Sequence, residues 1–568
     1  HRTKHASGYD PLFIMQVDLR KPFDTVPRAV MWARLRHKGV HGSMLQQLQT
    51  AYANVRLAVK VNGRLGQPFI SRQGVKQGCP ISPVLFGIFI EAFAEYLDAL
   101  DAQLPANVTL AKYRPKLDGE FVSHLLFADD TSLLSLSARR MNWLLTALAD
   151  FCEAFGMRVN ASKCELVVTA WDEFHTTAAE KRKIFLPIPT DEGGRRLEEL
   201  KPMSRVRYLG LYYGPEKPFS DCESELEGVA RRAGYALHAK LVACGLLIPA
   251  TMMDCYNVCV RAAMSFGAQI WGPDHFTLDF EAAMRHKLVG EQRKFMQRVV
   301  VAKQPANRLL YAELGQMPLH CHWMLLAFRF WNALVAQQNS LYCDALRADI
   351  RLALKHKVGW AHAMLQCLEA LGHTLLPEGT AVEEAIKHYS TMRLPVEDLC
   401  GRMHAAFMAG WEDERLTSAD PRDFTSEQRG EVTMCRYKHW MGVGLNDQGM
   451  LQAAPHARSC MHRKAHIALM RLRVGAWDLE NNRPAGRNRA DRVCPFCLRN
   501  GGQRCVEDEL HVVTECGAYA EIRDRFGELS FEEGMLALMS TSNQRALAQL
   551  VLEIQDKRQA SRQQVGEP

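Results

Sequence analysis

Apolar runs of strand length alternate with helical periodicity from the start of the chain to about residue 214. Leu12 to Leu19 is an apolar run with a carboxylate, Asp18, near its end, and reads as a buried strand. A helix is predicted over 28–54. Asn62-Gly63 lies between Leu57–Val61 and an extended piece ending near Ile70, a hairpin signal. Pro83–Ala99 reads as a buried helix, and His124–Ser135 as a second apolar run interrupted by Asp129-Asp130. Helix returns over Ala138–Phe155, followed by short strands at Met157–Val159, Cys164–Thr169 and Tyr208–Tyr213. The mixture predicts an α+β fold, an antiparallel sheet with helices on one face.

From Ser220 the pattern becomes helical. Ser220-Asp-Cys-Glu223 has the form of a capping box, and Leu226, Ala230, Ala233, Leu237 and Leu241 recur at three- and four-residue intervals. Further helices are expected at 250–268, 280–302 and 320–338, and others between 345 and 445. The shifts suggest four parts: 1–214, a helical 215–340, a helical connector 341–455 and a tail 456–568.

With 568 residues and 47% hydrophobic content, the chain can bury several cores. The longest apolar run, Pro83 to Leu97, contains Glu91 and Glu95 and is too short to span a bilayer. The seventeen cysteines, without a secretory segment, read as reduced thiols, so an intracellular protein without a membrane partner is expected. The formal net charge is +7. Ten Lys or Arg between Arg458 and Arg499 face three acids, Asp478, Glu480 and Asp491. That window alone equals the excess of the whole chain. Such a stretch, with Trp477 and Phe496 available for stacking, suits nucleic-acid phosphates, although a solvated face has the same composition.

Candidate chemistry begins with Asp18, Asp129 and Asp130, because carboxylates rarely sit in apolar strands unless paired or bound to metal. If the two strands are neighbours, the three side chains converge into an oxygen site for Mg²⁺. The alternative is a hairpin turn at Asp129-Asp130 and a helix cap at Asp18. Gly74 to Phe86, with two glycines, Gln77 and two prolines ahead of an apolar helix, describes a rigid turn able to approach a base pair closely. In the tail, Cys494, Cys497, His511 and Cys516 have the spacing of a tetrahedral Zn²⁺ site, with Cys505 as an alternative ligand.

The series Val17–Asp24, Gln77-Gly-Cys-Pro-Ile-Ser-Pro83, Phe127-Ala-Asp-Asp130, Phe155–Lys163 and Tyr208-Leu-Gly210 resembles the ordered motifs of reverse transcriptases. Its wording is similar to that of non-LTR (LINE-type) retrotransposon enzymes. Ala262–Gly272, including Gln269-Ile-Trp-Gly, resembles their thumb more loosely. The resemblance implies a right-hand polymerase palm in 1–214 and a thumb in 215–340, with a zinc element after it. It further implies RNA-directed DNA polymerisation with two Mg²⁺ (or Mn²⁺) ions, an RNA template, a DNA primer and dNTPs, in the nucleus and cytoplasm as a ribonucleoprotein.

Carried over, Asp18, Asp129 and Asp130 are the metal-binding carboxylates. Phe23 sits under the incoming sugar and selects deoxynucleotides, or is a core ring. Gln77 and Gly78 line the nascent base pair, and Tyr208, Leu209 and Gly210 belong to the primer grip. Lys163 protonates pyrophosphate, or is a surface lysine. Pro22 departs from the family's usual Ala. Only seventeen residues precede Asp18, so an N-terminally truncated fragment lacking most of the fingers is expected, with a catalytically inactive nucleic-acid-binding remnant as the rival reading.

Overall fold

The computed structural model describes the chain except residues 1–3, 6–7, 10, 105–109, 111–112, 170–182, 191–193, 215–219, 303–304, 338–339, 409–434, 436, 448–449, 478, 480–491, 500–503 and 564–568. It divides into two compact units, His1–Cys222 and Glu223–Pro568.

The first unit is built on β1 (Phe13–Val17). Its alternation places Phe13, Met15 and Val17 in the core and leaves Ile14 and Gln16 half-buried on the other face. Helices α1 (Pro22–Thr25), α2 (Arg28–His37) and α3 (Gly42–Ala53) follow, then α4 (Ser82–Ala102). The hairpin β2 (His124–Phe127) and β3 (Asp130–Ser135) leads to α5 (Ala138–Ala154) and β4 (Glu165–Val168). These strands form one antiparallel sheet in the order β2-β3-β1-β4. Phe86, Phe89 and Phe93 of α4 and Leu144, Leu145 and Leu148 of α5 share a core with Phe13, Met15, Val17 and Leu133. The helices therefore cover one face of the sheet, as its alternating pattern requires.

The single helix expected over 28–54 is two. Gly39, at φ +86°, ends α2. The Val40 N–H donates to the Leu35 carbonyl and the Gly39 N–H to the Arg36 carbonyl, the paired bonds of a glycine-terminated helix. A further hairpin, β5 (Ile184–Pro189) with β6 (Arg195–Leu200), lies in a stretch for which the sequence predicts no strand. Asn142 of α5 anchors it, donating from Nδ2 to the Lys183 carbonyl and accepting the Phe185 N–H. The strand expected over Tyr208–Tyr213 is also a hairpin, β7 (Val206–Tyr208) with β8 (Leu211–Tyr213). Leu209 and Gly210 form its turn at φ +48° and +85°. Two positive φ values are what a twist-matched two-residue turn needs.

The second unit is helical. It includes all but the first three residues of α6 (Ser220–Ala243), and α7 (Pro249–Tyr256), α8 (Lys287–Val300), α9 (Asn307–Glu313), α10 (Leu319–Ala336) and α11 (Arg463–Arg473). Within the expected 250–268 helix the backbone widens to a π-helical turn at Asn257–Arg261. The capping box is not made by Glu223, whose carboxylate oxygens instead lie 2.7 Å from His275 Nε2 and 3.3 Å from His286 Nε2. No helix among the described residues is long and apolar enough to cross a membrane.

Candidate functional site

Strand register decides where the aspartates meet. Thr131 pairs with Val17 and Ser132 with Gln16, so one further step sets Asp130 opposite Asp18 at the end of the sheet. Ser132 Oγ donates to Gln16 Oε1 at 2.7 Å, so these two side chains share a face. Asp130 and Asp18, each two residues along, emerge on that same face, away from α4 and α5. On the other side of the hairpin Phe127 pairs with Asp130, leaving Ala128 and Asp129 as the turn. Asp129-Asp130 is thus both a hairpin tip and a neighbour of Asp18. Asp18 caps no helix, since α1 begins after Lys21.

Asp18 is half-buried, and Asp129 and Asp130 are exposed. Asn160 Nδ2 donates to Asp18 Oδ2 at 2.9 Å, and the Asn160 N–H donates to the Asp18 carbonyl at 2.8 Å. Among the described residues no Lys or Arg pairs with any of the three carboxylates. The Asp130 carboxyl is raised above its ordinary value, by desolvation first and then by the charges of Asp129 and Asp18. Their oxygens are not one of the tight ligand clusters whose atoms all lie within 4.8 Å of one another. The donor set is hard, uncompensated and open to solvent, which fits a divalent cation that keeps waters and phosphate ligands. Ala128 stands at φ +52°, a conformation that costs a non-glycine residue about 1 kcal/mol or more.

The glycine-rich segment is docked beside this edge. The Val75 N–H donates to the Phe23 carbonyl at 2.7 Å and the Gly74 N–H to the Val26 carbonyl at 2.9 Å. A Cβ on Gly74 would come within 2.7 Å of the Asp24 carbonyl oxygen and 2.8 Å of that of Phe23, so only glycine permits this approach. Gln77 and Gly78 are exposed, with Gln77 Nε2 donating to Asp24 Oδ1 at 3.1 Å. Phe23 is half-buried and stacks on Phe86 with ring centroids 4.8 Å apart. Pro22 occupies the first helical turn of α1, where a missing N–H costs no helical bond.

The β7–β8 hairpin reaches the same polar face, because Gln16 Nε2 donates to the Tyr213 hydroxyl at 2.7 Å. Tyr208 is half-buried and the Leu209-Gly210 turn exposed. Lys163 is exposed at the end of a short 3-10 turn whose first bond runs from its own N–H to the Asn160 carbonyl. Its ammonium pairs with none of the three aspartates. The sequence reading assigned no role to Asn160 or Gln16. A glutamine inside an apolar strand run was the available signal for the second.

In the tail, Cys494, Cys497, His511 and Cys516 place one ligand atom each within 4.8 Å of all the others. Cys497 Sγ is 3.6 Å from Cys516 Sγ and 3.3 Å from His511 Nε2, and Cys494 Sγ is 3.9 Å from Cys516 Sγ. Tetrahedral zinc with bonds of roughly 2.3 Å to sulfur needs sulfurs about 3.8 Å apart. His511 Nδ1 faces Glu515 at 3.5 Å, leaving Nε2 to the thiols. The Cys494 thiol is driven below its ordinary value by its hydrogen bond with Cys516, whose own proton is held correspondingly tightly. Cys505 stands outside this group; its carbonyl accepts the Cys494 N–H at 2.9 Å.

The basic window is not the continuous face its composition suggests. Arg473 is buried against Glu313 at 2.7 Å and Arg492 is buried, whereas Arg458, Arg463, Lys464 and Arg499 are exposed. Arg483, Arg487, Arg489, Asp478, Glu480 and Asp491 lie outside the described residues. Trp477 and Phe496 are 4% and 8% exposed. Trp477 donates to the Ala468 carbonyl, and Phe496 packs beside Tyr519. Both are core residues, which corrects their reading as stacking platforms.

Residues 4–213 match the family model described as reverse transcriptase (RNA-dependent DNA polymerase). The chain is 25% identical over 214 residues to the retrovirus-related Pol polyprotein from type-2 retrotransposable element R2DM of Drosophila melanogaster, covering 38% of this chain and 18% of that protein. It is 29% identical over 211 residues to the Pol polyprotein from type-1 retrotransposable element R2 of Popillia japonica, covering 36% of this chain and 32% of that protein. The matched region therefore spans less than a third of each of these relatives. Among solved structures, telomerase from Candida albicans in complex with a fragment of telomeric RNA matches at a TM-score of 0.25 and 12% identity, over 58% of this chain and 50% of that one. The match to the reverse-transcriptase family model thus falls on the region that carries the five motifs, and that same stretch is similar to the Pol polyproteins of R2 retrotransposable elements.

Proposed function

We propose that the chain is an RNA-directed DNA polymerase that adds dNTPs to a DNA primer 3′ end on an RNA template. The observation that carries the reading is the register that sets Asp130 opposite Asp18, with Asp129 at the adjoining turn and, among the described residues, no Lys or Arg paired with any of the three. In this reading 1–214 is a right-hand palm, 215–340 the thumb, 341–455 a connector and 456–568 a nucleic-acid-binding tail.

Asp18, Asp129 and Asp130 would hold two Mg²⁺ ions, which when bound supply charge neutralisation at the attacking and leaving oxygens. Asn160 fixes the Asp18 carboxylate so that its free oxygen stays directed at the site. Phe23, stiffened by Pro22 and stacked on Phe86, forms the wall beside the sugar. The Gln77-Gly78 backbone, pinned through Gly74 to that same turn, borders the base pair. Tyr208, Leu209 and Gly210 support the primer through the Gln16–Tyr213 bond, and Lys163 is the proton donor to the leaving pyrophosphate. Cys494, Cys497, His511 and Cys516 would hold a structural Zn²⁺ with no open position.

Extension of oligo(dT) on poly(rA) with Mg²⁺ or Mn²⁺ tests the reading. Incorporation by the wild-type chain and its loss in Asp129→Ala is the expected result. Equal incorporation by both, or none by either, ends it in favour of a binding remnant.

A further inference from the structure

The unit Glu223–Pro568 contains a cavity of about 160 Å³ that none of the preceding chemistry uses. It is bounded by the start of α7, the end of α8 and the start of α11. The polar groups that line it are dominated by Arg298, Arg463, His238 and His466, and no Asp or Glu contributes to the wall. The fully buried Arg473 and Arg140 find carboxylates in Glu313 and Asp101, whereas Arg298 is half-buried and Arg463 exposed.

Three observations converge on this cavity. Arg298 and Arg463 form no ion pair among the described residues, and the Arg298 guanidinium lies 3.7 Å from the centre of the Tyr235 ring. His238 is lowered from its ordinary value by burial first and then by the charges of Arg298 and Arg463, so both cations are near it. Helices α7 and α11 both begin at the wall, after Ile248 and His462, and neither has a side chain capping its first turn. Their leading N–H groups and dipoles favour an anion there.

His466, 6% exposed, also contributes to the wall. The remaining wall, including Leu247, Met252, Val299 and Ile467, is apolar and strengthens any charge interaction inside it.

We propose that this cavity is an anion pocket that takes a phosphate group of a nucleic-acid strand. A phosphate presents several acceptors at once, enough for two guanidinium groups, a ring N–H and a helix terminus. The strand rests on the polymerase reading above; the pocket itself does not. The rim at Cys460 and Arg463 is exposed, so a bound strand can reach it from solvent.

Calorimetric titration of the full chain with inorganic phosphate tests the pocket. Wild type and Asp129→Ala are expected to bind phosphate alike. Arg298→Gln/Arg463→Gln should bind it at least tenfold more weakly, and the exposed Arg463→Gln alone, which removes no core contact, at least threefold. RNA oligonucleotides with a 5′-phosphate or a 5′-hydroxyl then identify the source. Preference for the former assigns a terminal phosphate; equal binding, weakened tenfold in the double variant, assigns an internal one. Absence of phosphate binding in the wild type, or unchanged affinity in the double variant, overturns the proposal. Phosphate binding that survives while primer extension fails would sink only the polymerase reading.

Discussion

Four acidic residues separate the two units of this protein by what they are for. In His1–Cys222, Asp18, Asp129 and Asp130 gather at the end of a sheet with one asparagine and no cation among the described residues. Asp130 is raised by desolvation and by its two acidic neighbours. In Glu223–Pro568, Glu313 is fully buried, 2.7 Å from Arg473 Nε and 2.6 Å from His456 Nε2, with the Tyr437 hydroxyl donating to its other oxygen. Burial pushes that carboxyl up, but Arg473 and then His456 pull it down to about 2. One set of charges is left unbalanced where a ligand can reach it; the other is balanced where nothing can. In the proposed reading the first arrangement serves a reaction, while the second holds a fold.

The contrast breaks most visibly at Glu313. Glu313→Gln leaves Arg473 buried without its counter-charge and should cost about 3–5 kcal/mol in urea denaturation of the second unit. The pH dependence follows the same pair. Because the folded carboxyl sits at about 2 and the free one near 4.5, its stabilisation is complete above pH 4.5 and is lost as pH falls from there towards 2. Glu313→Gln should flatten acid unfolding in that window. A variant as stable as the wild type, with the same acid profile, would show that the buried pair does not hold the fold.

Asp129→Ala is the mirror case. Incorporation should fall on the order of 100- to 1000-fold, while the melting transition stays within about 0.5 kcal/mol or rises slightly, since an exposed like charge is removed. Loss of stability comparable to that of Glu313→Gln would place Asp129 among structural residues and erase the distinction. Between these extremes lies the Cys494 group. One zinc per chain is expected by metal analysis, lost in Cys494→Ser, with greater protease sensitivity confined to the tail; Cys505→Ser should retain the metal.

The same division explains what the sequence made legible. Asp18, Gly74, Gln77, Asp129 and Asp130 sit in short local patterns, and local patterns survive in one dimension. The α2–α3 break was written in Gly39, but its effect depends on two backbone bonds rather than on hydrophobic period. The β5–β6 hairpin was hidden because Pro187 and Pro189 interrupt one strand, and Arg195 to Glu199 make the other nearly all polar. In the second unit the reading of Arg473 as part of a basic strip failed for a plainer reason. Its partner Glu313 is 160 residues away, and no window along the chain shows that. Trp477 and Phe496 were misread likewise, because an aromatic beside arginines looks the same whether it faces solvent or core.

The smallest expected effect sharpens the comparison most finely, because it separates stability from activity within a single turn. Ala128 holds φ +52° between Phe127 and Asp129, which costs an alanine about 1 kcal/mol. Ala128→Gly removes that strain but frees the unfolded chain by about 0.4–1 kcal/mol, so net stability should change by less than about 1 kcal/mol. If the turn exists to hold Asp129 beside Asp18 and Asp130, the looser glycine backbone should still lower incorporation several-fold. The Mg²⁺ concentration for half-maximal rate should rise with it, because the carboxylates must then be ordered by the ion. Unchanged metal dependence in a variant of unchanged stability would mean that the strained tip is incidental, and that the register of the two strands alone positions the aspartates.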